Sequence, residues 1–117
     1  MEDGNYRTNI YDLPIRGGGD GGLYTNVYDM AKFWHAFMSG RLVNQENIQK
    51  ILYPHYLDQS TAYGLGVWLK AVDDKYYPVI VGEDPGVSFV SGMTKDFIYV
   101  VISNTQHGAW MISELLD

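Results

Sequence analysis

The chain has 117 residues and a 46% hydrophobic fraction, enough for one domain with a real core and too apolar for a disordered chain. Its net charge of -6 and scattered Lys and Arg residues work against a phosphate backbone as partner, so no nucleic-acid binding is expected. The absence of cysteine excludes disulfides, thiol nucleophiles and thiolate metal sites while leaving the compartment open, and no apolar run is long enough to form a transmembrane segment.

Residues 1–22 are polar and glycine-rich and read as loop, with a short extended piece around residues 6–10. Residues 25–39 carry the clearest helical pattern: Val27, Met30, Ala31, Trp34, Phe37 and Met38 recur at spacings of three and four. Thr25 or Asn26 is placed to cap the start, since a side-chain oxygen satisfies an otherwise unpaired amide, an effect worth roughly 1 kcal/mol. Asp29 adds favourable charge in the first turn, and Gly40 suits a left-handed stop. A shorter helix is expected over residues 45–53, capped by Asn44 and stopped by Pro54.

Residues 63–72 then read as a strand broken by Gly64 and Gly66, followed by a turn at Asp73 and Asp74. Residues 76–81, 87–91 and 97–103 are rich in β-branched and aromatic side chains and read as strands. The turn after the first of these carries Gly82, Pro85 and Gly86, and the next carries Thr94, Lys95 and Asp96. Residues 109–116 read as a final helix. Helices followed by strands with short turns predict an α+β fold: an antiparallel meander of about four strands packed with helices, in a single domain over residues 1–117. Both ends read as internal to a longer polypeptide.

Several motifs compete with simpler readings. Residues 17–22, Gly-Gly-Gly-Asp-Gly-Gly, contain the Gly-x-Gly-x-x-Gly spacing of a dinucleotide loop. That loop needs a buried strand just before it, and Pro14 argues against one, so a turn into the helix is the stronger reading and no cofactor is expected. His35, His55 and His107 have neither helical metal spacing nor a supporting Cys, so no metal site is expected. There is no Gly-x-Ser-x-Gly elbow, and the flanks of Ser39, Ser60, Ser88, Ser91, Ser103 and Ser113 carry no nucleophile signature. Ten Tyr and three Trp would suit a stacking surface for sugars or a peptide, although strand and helix-face positions make core packing their default.

Three ordered segments carry a family resemblance. Gly21-Gly22-Leu23-Tyr24-Thr25-Asn26, followed by Asp29 and Phe33, resembles a helix-opening segment of the β-lactamase-related serine hydrolases, which include class C β-lactamases, DD-peptidases, related esterases and penicillin-binding proteins. Tyr63-Gly64-Leu65-Gly66-Val67-Trp68 resembles their Tyr-Gly-Leu-Gly-Trp strand. Gly82, Pro85, Gly86 and Phe89, then Val100-Val101-Ile102-Ser103-Asn104, resemble their last strands. The resemblance implies a partial β-lactamase/DD-peptidase-like fold, the C-terminal part of a larger serine hydrolase-like protein of the bacterial cell envelope or exterior, with a cytoplasmic location left open.

The family's active site uses a Ser-x-x-Lys pair, a Tyr-x-Asn triplet and a Lys-Thr-Gly or His-x-Gly triplet. No Ser-x-x-Lys occurs here; Ser91 and Lys95 are one residue too far apart. Tyr24-Thr25-Asn26 has the second form but opens a helix, where Thr25 and Asn26 have ordinary capping work. The third triplet falls on Ile80-Val81-Gly82, where only the glycine matches and Ile80 supplies neither charge nor proton. No catalytic residue is therefore assigned. The resemblance leaves Gly82 and Glu83 as substrate-binding candidates, because the amide after the triplet helps form the family's oxyanion hole, although Glu83 and Asp84 would add negative potential there. The implied partners are the remainder of the longer protein or, through free strand edges, a second copy of the chain. The alternative is a non-catalytic peptide- or glycan-binding module using the strand edge near residues 80–83.

Overall fold

The computed structural model describes residues 8–116; of the extended piece expected at residues 6–10, residues 6 and 7 lie outside the described residues, and residues 8–10 form no strand. Ile10–Asp12 forms a single 3-10 turn, and the glycine-rich segment closes on itself through Gly18 N–H donating to the Gly21 carbonyl at 2.8 Å. No strand precedes that turn among the described residues, which removes the context a dinucleotide loop requires.

Helix α1 spans Val27–Met38. Asn26 is its cap: Oδ1 accepts the N–H groups of Tyr28 and Asp29, each at 3.0 Å, and Nδ2 donates to the Asp29 carboxylate. Met30 and Trp34 form the buried stripe, whereas Val27 at its start is exposed. Helix α2 spans Gln45–Ile51, with Asn44 accepting the N–H of Asn47. Helix α3 spans Gly108–Ser113 and continues as a 3-10 turn over Glu114–Leu116.

The sheet has six antiparallel strands in sequence order: β1 (Tyr56–Leu57), β2 (Ala62–Tyr63), β3 (Trp68–Val72), β4 (Lys75–Asp84), β5 (Val87–Met93) and β6 (Ile98–Ser103). The meander is the expected one, with two short outer strands added. Residues 63–72 are not one broken strand. The chain reverses at residues 64–67, so that Ala62 lies opposite Leu69 and Tyr63 opposite Trp68. Gly64 is required there, because a Cβ would collide with the Ile51 carbonyl oxygen. Gly82 also moves out of its expected turn: it lies within β4 opposite Phe89, and the turn is confined to Pro85 and Gly86.

Two buried serines on β5 explain how the helices are held. Ser88 and Ser91 are three positions apart, so strand alternation puts them on opposite faces of the sheet. Ser91 Oγ accepts from Trp34 Nε1 at 2.7 Å and donates to the Tyr99 carbonyl at 2.9 Å, fixing α1 on one face. Ser88 Oγ accepts from Ala109 N–H at 3.0 Å and donates to the Thr105 carbonyl at 2.7 Å, fixing α3 on the other. Burying Trp34 stabilises by roughly 3 kcal/mol, and each satisfied hydroxyl avoids a desolvation cost of about 1–3 kcal/mol. On the α1 face, Ala62, Val67 and Leu69 form a cluster with Ile51, Leu52, Tyr76 and Ile80 against it.

Candidate functional site

The register of β4 determines which of its backbone groups are spoken for. Asp73 and Asp74 form a two-residue hairpin loop with φ of 48° and 62°, the left-handed pair that such a loop demands. The closing pair Val72–Lys75 is then a hydrogen-bonded one, and alternation makes Lys70–Tyr77 and Trp68–Val79 hydrogen-bonded as well. Pro78, opposite Leu69, falls in a pair that requires no N–H towards β3. Continuing the alternation, Ile80 and Gly82 turn their backbone groups towards β5, while Val81 and Glu83 turn theirs the other way.

Among the described residues, no strand lies on that other side. The pairing of β3 with β4 ends at Trp68–Val79, and β5 alone accompanies residues 80–84. Among the described residues, no loop or turn backbone bonds to the outward groups of Val81 or Glu83. β4 is therefore an inner strand over its first half and an edge over its second.

The two candidate residues differ in what they offer. Gly82 spends its amide on β5 and presents only the lack of a side chain, with Phe89 Cδ1 the nearest atom to a Cβ placed there, at 3.8 Å. Glu83 offers an outward main-chain N–H, and its carboxylate is held elsewhere: Oε1 accepts from Gln106 Nε2 at 2.8 Å and Oε2 from Trp110 Nε1 at 3.3 Å. The carboxylate keeps its negative charge but is turned onto the α3 face, where it carries two donors. Asp84 falls on the opposite face by alternation. Gln106 and Trp110 were absent from the sequence reading; at 23 and 27 residues from Glu83, no local spacing connects them.

The remaining candidates are dispersed. Ile80 packs against the Ala62–Val67–Leu69 cluster, which gives a structural reason for an apolar side chain at the triplet position. Asn26 is committed to its cap, and Tyr24 is exposed two residues before it. Asp29 is held below the usual carboxylate range, first by the hydrogen bond from Lys32 and then by that from Asn26, so it too serves the helix start. His35 is exposed, and His55 Nε2 bonds the Lys50 carbonyl at 2.8 Å. Among the described residues, no three His, Asp or Glu converge as metal ligands, and no helix is long and apolar enough to cross a membrane.

The α+β meander with helices pinned on both faces is penicillin-binding-protein-like in fold. The comparison that shows this is with the penicillin binding protein from Bacillus halodurans, a solved structure 39% identical in sequence, superposing with a TM-score of 0.88 over 99% of this chain. The chain spans 37% of that protein's length. No protein-family model and no curated protein sequence matches the chain.

Proposed function

We propose that the chain is the C-terminal portion of a β-lactamase-related serine hydrolase or penicillin-binding-like protein, to which it supplies the sheet and one wall of the substrate cleft. The wall is the open edge of β4, and the group on it suited to a carbonyl or oxyanion is the Glu83 main-chain N–H. The observation that carries this reading is that β4 outruns β3, leaving Val81 and Glu83 with outward backbone groups. A main-chain donor needs no particular side chain, so the loss of a charged residue at Ile80 leaves that role intact. The Gln106 and Trp110 bonds to the Glu83 carboxylate favour it further by fixing the residue whose amide is used.

The chain by itself supplies no activated nucleophile. Ser88 and Ser91 are fully buried, with their protons given to carbonyl oxygens, and no Ser-x-x-Lys exists. Incubation of the isolated chain with a fluorescent penicillin should give no covalent adduct, whereas the longer protein containing an upstream Ser-x-x-Lys should be labelled. A stoichiometric serine adduct on the isolated chain would overturn the assignment.

The same open edge favours a second reading, a non-catalytic module that adds an extended peptide as a further strand beside residues 80–84. Chemical-shift mapping with peptides and peptidoglycan fragments separates the two: perturbation at Val81 and Glu83 without acylation in the longer protein favours the module. Among the described residues the outer side of β6 is also unpaired, and it is a natural place for the remainder of the longer protein, or a second copy, to pair.

A further inference from the structure

Three aromatic residues stand directly across from one another on the outer strands: Tyr56 of β1 opposite Tyr63 of β2, and Tyr63 opposite Trp68 of β3. Opposed residues share a face, and the pairing of Trp68 with Val79 places all three on the α3 side of the sheet. Helix α3 packs on β5 and β6 and leaves this flank open, with Tyr56 57% and Trp68 45% exposed. The rings of Tyr63 and Trp68 meet edge to face, centroids 4.7 Å apart and planes at 73°, which forms a corner between aromatic walls.

Asp58 supplies a charge at this corner. Its Oδ2 accepts from Tyr56 Oη at 2.9 Å, and its Oδ1 accepts the N–H groups of Ser60 and Thr61, each at 2.9 Å. These bonds, that from Ser60 foremost, hold its carboxyl below the usual aspartate range, so it is ionised at neutral pH. Tyr56, Asp58, Thr61, Tyr63 and Trp68 together line a shallow cleft of about 350 Å³. No cationic side chain is among these lining residues; Lys70 shares the face but lies two residues further along β3.

The chemistry of the cleft selects among ligands. A sugar stacked on one ring would need several hydrogen-bonding partners, but the Tyr56 hydroxyl proton and the Ser60 and Thr61 amides are already given to Asp58. Beside the Tyr63 and Thr61 hydroxyls and the Trp68 indole N–H, the cleft offers π faces next to one negative charge, the combination that attracts an alkylammonium group. The Tyr56 ring is made more electron-rich by the hydrogen bond its hydroxyl donates to a carboxylate. We propose that Tyr56, Tyr63, Trp68 and Asp58 form a binding site for an alkylammonium head, a site separate from the open edge of β4.

The test titrates the 117-residue chain with choline, with dimethylbutanol as its uncharged carbon isostere, and with N-acetyl-lysine amide, following the indole N–H resonance of Trp68. A saturable shift with choline at millimolar concentration is expected, with the isostere at least about ten-fold weaker. Asp58→Asn should weaken choline binding by about ten-fold while the other two indole resonances stay in place, which reports an intact fold. Trp68→Leu should abolish the response at Tyr63, and if that variant unfolds the Asp58→Asn comparison still decides. A response to choline alone assigns the site to quaternary heads, and a response to both ammonium compounds extends it to lysine side chains. No response to either, equal responses to choline and its isostere, or an Asp58→Asn variant that binds choline like the parent would overturn the proposal.

Discussion

Residues 75–79 of β4 run between two strands, whereas residues 80–84 of the same strand run beside only one. In the first half, Tyr77 and Val79 direct their backbone groups at β3, and the aromatic and aliphatic side chains on both faces are partly covered. In the second half the ladder continues on the β5 side alone, and among the described residues the outward groups of Val81 and Glu83 have no strand partner. The contrast shows that an edge is created by where the neighbour begins. β3 starts at Trp68 because the chain reverses at residues 64–67, and that reversal is held by the Gly64 N–H to Val67 carbonyl bond at 2.8 Å and the Leu65 N–H to Ile51 carbonyl bond at 3.0 Å. A core hairpin thus determines the length of a candidate binding edge.

Glycine substitutions in the two halves should expose that difference. Gly92 lies opposite Val79, in the enclosed half, and a Cβ there would come within 2.7 Å of the Pro78 carbonyl oxygen and 2.6 Å of Tyr99 Oη. Backbone cannot yield as a flexible side chain can, so Gly92→Ala should lower the unfolding free energy by about 2–3 kcal/mol in urea titrations. Gly82 lies in the open half, at a φ outside the left-handed region, with nothing nearer than Phe89 at 3.8 Å. Gly82→Ala should leave stability unchanged or raise it by about 0.5 kcal/mol, since alanine loses less backbone entropy in a strand. A loss above about 1 kcal/mol at Gly82 would mean that the second half is packed more tightly than its pairing shows.

Much of this arrangement was legible in the sequence, and what escaped did so for identifiable reasons. The caps at Asn26 and Asn44, the stop before Pro54 and the Asp73-Asp74 turn follow from local chemistry, since each depends on residues within one turn of the chain. The strands at residues 76–81, 87–91 and 97–103 followed from β-branched and aromatic runs, although the observed β4 continues to Asp84. The reversal at residues 64–67 was hidden because Gly64 and Gly66 signal interruption without saying whether the strand resumes or turns back. At the site, Gly82 and Glu83 were singled out by resemblance, but only the pairing register reveals that Glu83 has the outward amide and Gly82 the inward one. The Gln106 and Trp110 bonds to Glu83 connect distant parts of the chain and leave no periodic trace.

The central claim is the alternation of backbone groups along the second half of β4, and amide hydrogen exchange reads it residue by residue. The amides of Ile80 and Gly82, bonded to β5, should exchange at least about 100-fold more slowly than those of Val81 and Glu83, which face the open edge. Slow exchange at all four positions would show that Val81 and Glu83 are paired after all, and it would contradict both the open edge and the role proposed for the Glu83 amide.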